Sequence, residues 1–110
     1  MIDLQKMEDR MKRLGHPENL LGTEYIRRGI VLVDQGRTAL TKEVYPAIAK
    51  QMDTTASRVE RSIRHSIDVA VNRGNFDEWV ATFGWTMDPS RGKPTAGEYL
   101  AMMARECRAD

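Results

Sequence analysis

Residues 54–67 concentrate the polar chemistry of this chain: Thr54, Thr55, Ser57, Arg58, Glu60, Arg61, Ser62, Arg64, His65 and Ser66. A guanidinium is a planar fork of N–H donors that fits phosphate oxygens or the O6 and N7 of a guanine. A carboxylate such as Glu60 can accept from a cytosine N4 amine. Small hydroxyls at the start of a helix, here Thr55 and Ser57, add donors where free backbone N–H groups and the positive dipole end already favour an anion.

The apolar residues of the same stretch show how these groups are positioned. On a helical wheel Val59, Ile63, Ile67 and Ala70 share one side. Arg58, Arg61, His65 and Asn72 share the other, with Arg64 and Asp68 on its flank. This predicts a helix over about 56–73, stopped at Gly74. Two starts compete: Thr54 or Thr55 as N-cap, or a capping box Ser57-x-x-Glu60. Glu60 has a second competing role, as the i,i+4 partner of Arg64.

Five further helices are predicted, over about 3–14, 23–35, 43–52, 76–83 and 96–108. Leu4, Met7, Met11 and Leu14 form the stripe of the first, and Gly15-His16-Pro17 ends it. Thr23 is the expected cap of the second, which carries Tyr25, Ile26, Ile30, Leu32 and Val33 and ends at Gly36. Its run Ile30-Val31-Leu32-Val33 could be a strand in isolation, but its flanks read as helix. Pro46 fits only the first turn of the third helix, which turns Tyr45, Ile48, Ala49 and Met52 inward. Asn75 caps the fifth. Residues 85–94 form the longest loop. Thr95-x-x-Glu98 opens the sixth, with Tyr99, Leu100, Met103 and Cys107 along one face. The expected fold is all-α: six helices in a single domain over residues 1–110.

The chain has 110 residues, 41% of them hydrophobic and 30% charged, which suits one globular domain. Net charge is only +1, so any electrostatic footprint must be local. The single Cys107 excludes an internal disulfide and a multi-cysteine zinc site. No apolar run approaches the ~18 residues of a membrane span, and the start lacks a signal-peptide core. His16 and His65 lack the companions of a metal site. No glycine-rich phosphate loop or Ser/His/Asp set appears. Trp79 and Trp85 read as core or interface residues. The expectations are no enzyme activity, no catalytic residues, no metal and no cofactor, in a cytoplasmic protein associated with the bacterial nucleoid.

The pair 43–52 and 56–73, joined by Asp53-Thr54-Thr55, has the length pattern of a helix-turn-helix, whose second helix enters the DNA major groove by its N-terminal residues. Two rivals stand beside this reading. One is a protein-interaction module of the same fold. The other is a small enzyme, which lacks a catalytic cluster.

The sequence from Thr54 to His65 resembles one family: the DNA-binding effector domain of stage-zero sporulation protein A, a sporulation response regulator. The likeness extends through Leu40–Lys50, Asn72-Arg73-Gly74-Asn75, Lys93-Pro94-Thr95 and Glu98–Met102. It implies double-stranded promoter boxes as target. It also implies contact with RNA polymerase or its sigma factor, and weak homodimer formation on tandem sites through the last helix. Base reading then falls on Arg58, Glu60 and Arg61. Phosphate contact then falls on Ser57, Arg64 and His65, with Lys93 added from the loop; Thr55 joins them from its own place at the helix start. Members of this family usually carry a receiver domain, for which this sequence has no room.

Overall fold

The computed structural model describes residues 1–84 and 92–110; Trp85 and most of the expected 85–94 loop lie outside them. Among the described residues there are six α-helices and no strand: α1 (Leu4–Arg13), α2 (Leu21–Asp34), α3 (Tyr45–Gln51), α4 (Ala56–Arg73), α5 (Phe76–Phe83) and α6 (Ala96–Glu106). The Ile30–Val33 run is helical, as its flanks predict.

Capping chemistry sets most of the boundaries. Asp3 accepts from the N–H groups of Gln5 and Lys6 at the start of α1. Thr55 accepts from the Arg58 N–H at 3.2 Å and so is the N-cap of α4. Asn75 caps α5 through the Asp77 N–H. At α6 the box is reciprocal: Thr95 Oγ1 accepts from the Glu98 N–H at 3.2 Å, and Glu98 Oε1 accepts from the Thr95 N–H at 3.0 Å.

Three sequence expectations need correction. Thr23 does not cap α2, which starts two residues earlier; it lies buried inside the helix and donates to the Pro17 carbonyl at 2.7 Å. Leu4 is 63% exposed, although it sits on the same stripe as Met7 and Met11. Ile2 covers that end of the core in its place, because the first residues pair with those after α6 (Asp3 N–H to Cys107 O, 2.8 Å; Ala109 N–H to Met1 O, 2.8 Å). The third helix is preceded by a π-helical turn, Leu40–Val44. Pro46 has no N–H to continue an α ladder back into that turn, and Val44 N–H reaches Ala39 O, five residues back.

α2 packs against both α4 and α6, and α3 packs against α4. The buried side of α4 is the predicted one, Val59, Ile63, Ile67 and Ala70, with Ser66 added. Backbone approach is close where α2 begins. A Cβ on Gly22 would stand 2.1 Å from the Ser62 carbonyl oxygen, so any side chain there would push α4 away. The same holds at the far end of α4, where a Cβ on Gly74 would stand 2.1 Å from the Leu14 oxygen. Trp79 is fully buried, donates its indole N–H to Leu14 O at 2.8 Å and stacks on Phe83. Tyr99, Leu100, Met103 and Cys107 are buried in the same core, which leaves their stripe no surface for self-association.

A polar chain crosses this apolar interior. Thr23 spends its hydroxyl proton on Pro17 O, so across the 3.2 Å contact Ser66 must donate to Thr23. Ser66 Oγ therefore accepts from His16 Nδ1 at 3.0 Å, and His16 Nε2 accepts from the Tyr99 hydroxyl at 2.6 Å. Only a neutral imidazole protonated on Nδ1 satisfies every member. Among the described residues no buried side-chain polar atom lacks a partner. Burial, helped by the Arg27 charge, lowers the His16 pKa to about 4. Burial also pushes the Tyr99 hydroxyl well up, keeping it a donor.

The unfolded chain takes up the His16 proton near pH 6.5, the folded chain only near pH 4. The stability this histidine contributes is therefore complete above about pH 6.5 and is lost as pH falls toward 4. The loss is on the order of 3 kcal/mol. Denaturant melts of the native protein and His16→Gln across pH 7 to 4 check this. The variant should start less stable and lose less on acidification; parallel curves would contradict the buried neutral imidazole.

Candidate nucleic-acid interface

α3, the turn through Asp53 and α4 are fastened before the polar face is considered. Asp53 takes φ of 52°, and Thr54 N–H donates to Ala49 O at 2.9 Å, which bends the chain sharply between the helices. Behind the turn, Arg28 of α2 bonds Gln51 of α3 at 3.0 Å and Glu24 at 2.9 Å. Arg27 grips both oxygens of Glu8 on α1 at 2.7 and 2.8 Å, and these bonds raise its pKa further. α3 is thus bonded to α2 through Arg28, and α2 is in turn bonded to α1 through Arg27, by directed, charge-assisted bonds as well as apolar contact.

On that support the outer face of α4 is presented to solvent. Thr55, Ser57, Arg58, Arg61, Arg64 and His65 are all exposed, and Glu60 is half-buried. Arg58 and Arg61 stand about 4.5 Å apart along the helix axis, and His65 follows about 6 Å further on. Among the described residues no ion pair holds Arg58 or Arg61. Their donors are free.

The flank differs. Arg64 Nη1 lies 3.4 Å from Glu60 Oε1, so Glu60 is engaged as a helix ion pair and not in a box with Ser57. Lys93 is paired with Asp68. Of the expected phosphate contacts, Lys93 is thus the one that the structure ties to a carboxylate outside the 55–65 cluster.

Two features were not found from sequence. Tyr45 of α3 lies buried beside Glu60 and Arg64; burial, with the Glu60 charge, raises its hydroxyl pKa. Leu20, Leu21 and Gly22, at the start of α2, form a shallow shelf with Arg61, Ser62 and His65. About forty residues separate the two halves of that shelf. The one local signal was Gly22, whose missing side chain permits the close approach.

Among the described residues no group of three or more His, Cys, Asp or Glu could hold a metal ion, and no helix is long and apolar enough to cross a membrane. A family model described as "Sporulation initiation factor Spo0A C terminal" matches residues 7–107, which take in all six helices but the first turn of α1. That match spans nearly the whole chain, so the protein belongs to this family of DNA-binding regulatory domains of sporulation response regulators, which is not a family of enzymes.

Proposed function

We propose that the domain binds duplex DNA sequence-specifically and regulates transcription, with the N-terminal half of α4 in the major groove. The observation that carries this reading is the free, exposed pair Arg58 and Arg61 at the start of α4, which follows α3 across the turn at Asp53 and is packed against α2 and α3. In this reading Arg58 and Arg61 each take the O6 and N7 of a guanine, and Glu60 accepts from a cytosine N4. Thr55, Ser57, Arg64 and His65 meet the phosphates and fix the depth of docking. The Thr55 oxygen accepts from Arg58 N–H, which leaves its hydroxyl proton for a phosphate oxygen.

One observation favours an added protein partner. Phe76 is 60% and Val80 is 44% exposed, one turn apart on α5 beside Asp77. A polymerase subunit or sigma factor seated there would cover them. Self-association through the Tyr99, Leu100 and Met103 stripe has lost its support, since all three are core.

Arg58→Ala and Arg61→Ala should each cost about 1–3 kcal/mol on a preferred site and relax the base preference at one position. Arg64→Ala should weaken all duplexes more evenly and reduce the salt slope by about 1. Fluorescence anisotropy with a set of single-base variants reads both. Unchanged site affinity in the first two variants would dismiss α4 as the reading helix. Phe76→Ser should keep DNA affinity while reducing promoter activity in a reconstituted transcription assay; full activity would remove α5 as a partner surface.

A further inference from the structure

Charged side chains alternate in sign along one flank of α4: Glu60, Arg64, Asp68 and, from the segment before α6, Lys93. They border the same groove, with Tyr45 and Ile67 at its floor and Thr95 at its edge. Each cation here has its own carboxylate, Arg64 with Glu60 and Lys93 with Asp68. The Lys93 pair is the less solvated of the two: Lys93 is 32% and Asp68 45% exposed, against 68% for Arg64. On the reading side of the same helix Arg58 and Arg61 have no such partner. Positive charge is thus left free where bases would be read and is neutralised along the flank.

Sequence-independent attraction to DNA grows with the number of cations that reach phosphates, whereas base contacts add to it only at a correct site. From Glu60 to Asp68 the flank runs about 12 Å along the helix axis, about the width of the major groove, so a helix seated in the groove brings this flank past the phosphate wall. Lys93, if released from Asp68, would meet phosphates on any sequence.

Building on the DNA-binding reading above, we propose that Asp68 is a specificity-determining residue. Its carboxylate occupies the Lys93 ammonium and withholds one sequence-independent phosphate contact. The pair is only partly buried, so it does not lock Lys93; it sets a competition between one carboxylate and the phosphates. Lys93 then differs in kind from Arg64. Arg64 is 68% exposed and turns only Nη1 toward Glu60, at 3.4 Å, so its other donors can meet a phosphate on any sequence, whereas Lys93 is 32% exposed and its single ammonium faces Asp68.

The test uses a duplex of about 25 base pairs with no preferred site, titrated with the full chain between 50 and 200 mM salt. Asp68→Asn should steepen the slope of log affinity against log salt by about 0.9, the value of one added phosphate contact. Across that fourfold range this is an extra loss of about 3.5-fold, with a matching gain at low salt. Adding Lys93→Gln to Asp68→Asn should return the slope to that of the native chain. The exchanged pair, Asp68→Lys with Lys93→Asp, keeps one charge of each sign and should also match the native slope; it decides the matter if Asp68→Asn does not fold. An unchanged slope in Asp68→Asn, a gain that survives removal of Lys93, or an exchanged pair that departs from the native slope would each overturn the proposal. If the native chain binds no duplex at all, the DNA-binding reading falls as well. If it binds and only the Asp68 effect is missing, this inference alone is lost.

Discussion

One chain of hydrogen bonds runs through the interior in a single direction, from the Tyr99 hydroxyl through His16, Ser66 and Thr23 to the Pro17 carbonyl. It joins α6, the turn after α1, α4 and α2, four pieces far apart in sequence. Apolar packing is tolerant of small slides between helices, whereas a fully satisfied polar chain is not, because a displaced member leaves a buried donor or acceptor unpaired. Ser66 is the point where this constraint meets α4. It lies on the inner face, one residue past His65, so holding Ser66 fixes the rotation of the helix and with it the direction in which Arg58, Arg61 and His65 project. The glycine contacts at the two ends, Gly22 against Ser62 and Gly74 against Leu14, set the distance of α4 from the body. Rotation and distance together are what a reading helix needs, since a base contact is won or lost over less than an ångström.

Charge is distributed around α4 on the same plan. The inner side is apolar but for Ser66. The outer side carries free guanidiniums, and the flank carries cations already matched to carboxylates. A net charge of +1 for the whole chain therefore does not report what a duplex would meet. The bonds from Arg28 to Gln51 of α3 and from Arg27 to Glu8 of α1 spend arginines on structure and remove them from the surface pool. Sequence counts cannot distinguish an arginine of this kind from Arg58.

Much of this is legible in the sequence. The two faces of α4 follow from Val59, Ile63, Ile67 and Ala70 recurring at helical spacing, and Asn75 and Thr95 mark their helix starts by their own chemistry, whereas the start of α4 stayed open among Thr54, Thr55 and a Ser57–Glu60 box until the Thr55 bond to Arg58 N–H decided it. These are local signals, complete within one or two turns. What stayed hidden depends on distance in sequence. His16 looks like a loop residue until Ser66 and Tyr99 are brought to it. Thr23 reads as a cap because its type suits one, but the turn before it offers the Pro17 carbonyl, which takes its hydroxyl proton. Leu4 shares a stripe with Met7 and Met11, yet the pairing of the two chain ends places Ile2 over the core first. The π turn before Tyr45 arises from what Pro46 lacks, and Asp68 gives no sign that its partner is 25 residues away.

The most direct test of the central claim is selection of random duplex DNA by the purified protein at two salt concentrations. Enrichment of a short box containing guanines and a cytosine, preferred over bulk duplex by at least ~10³-fold at the higher salt, is the predicted result. Binding that follows salt alone, with no enriched box, would contradict it, because the two free guanidiniums must then be meeting phosphates and not bases.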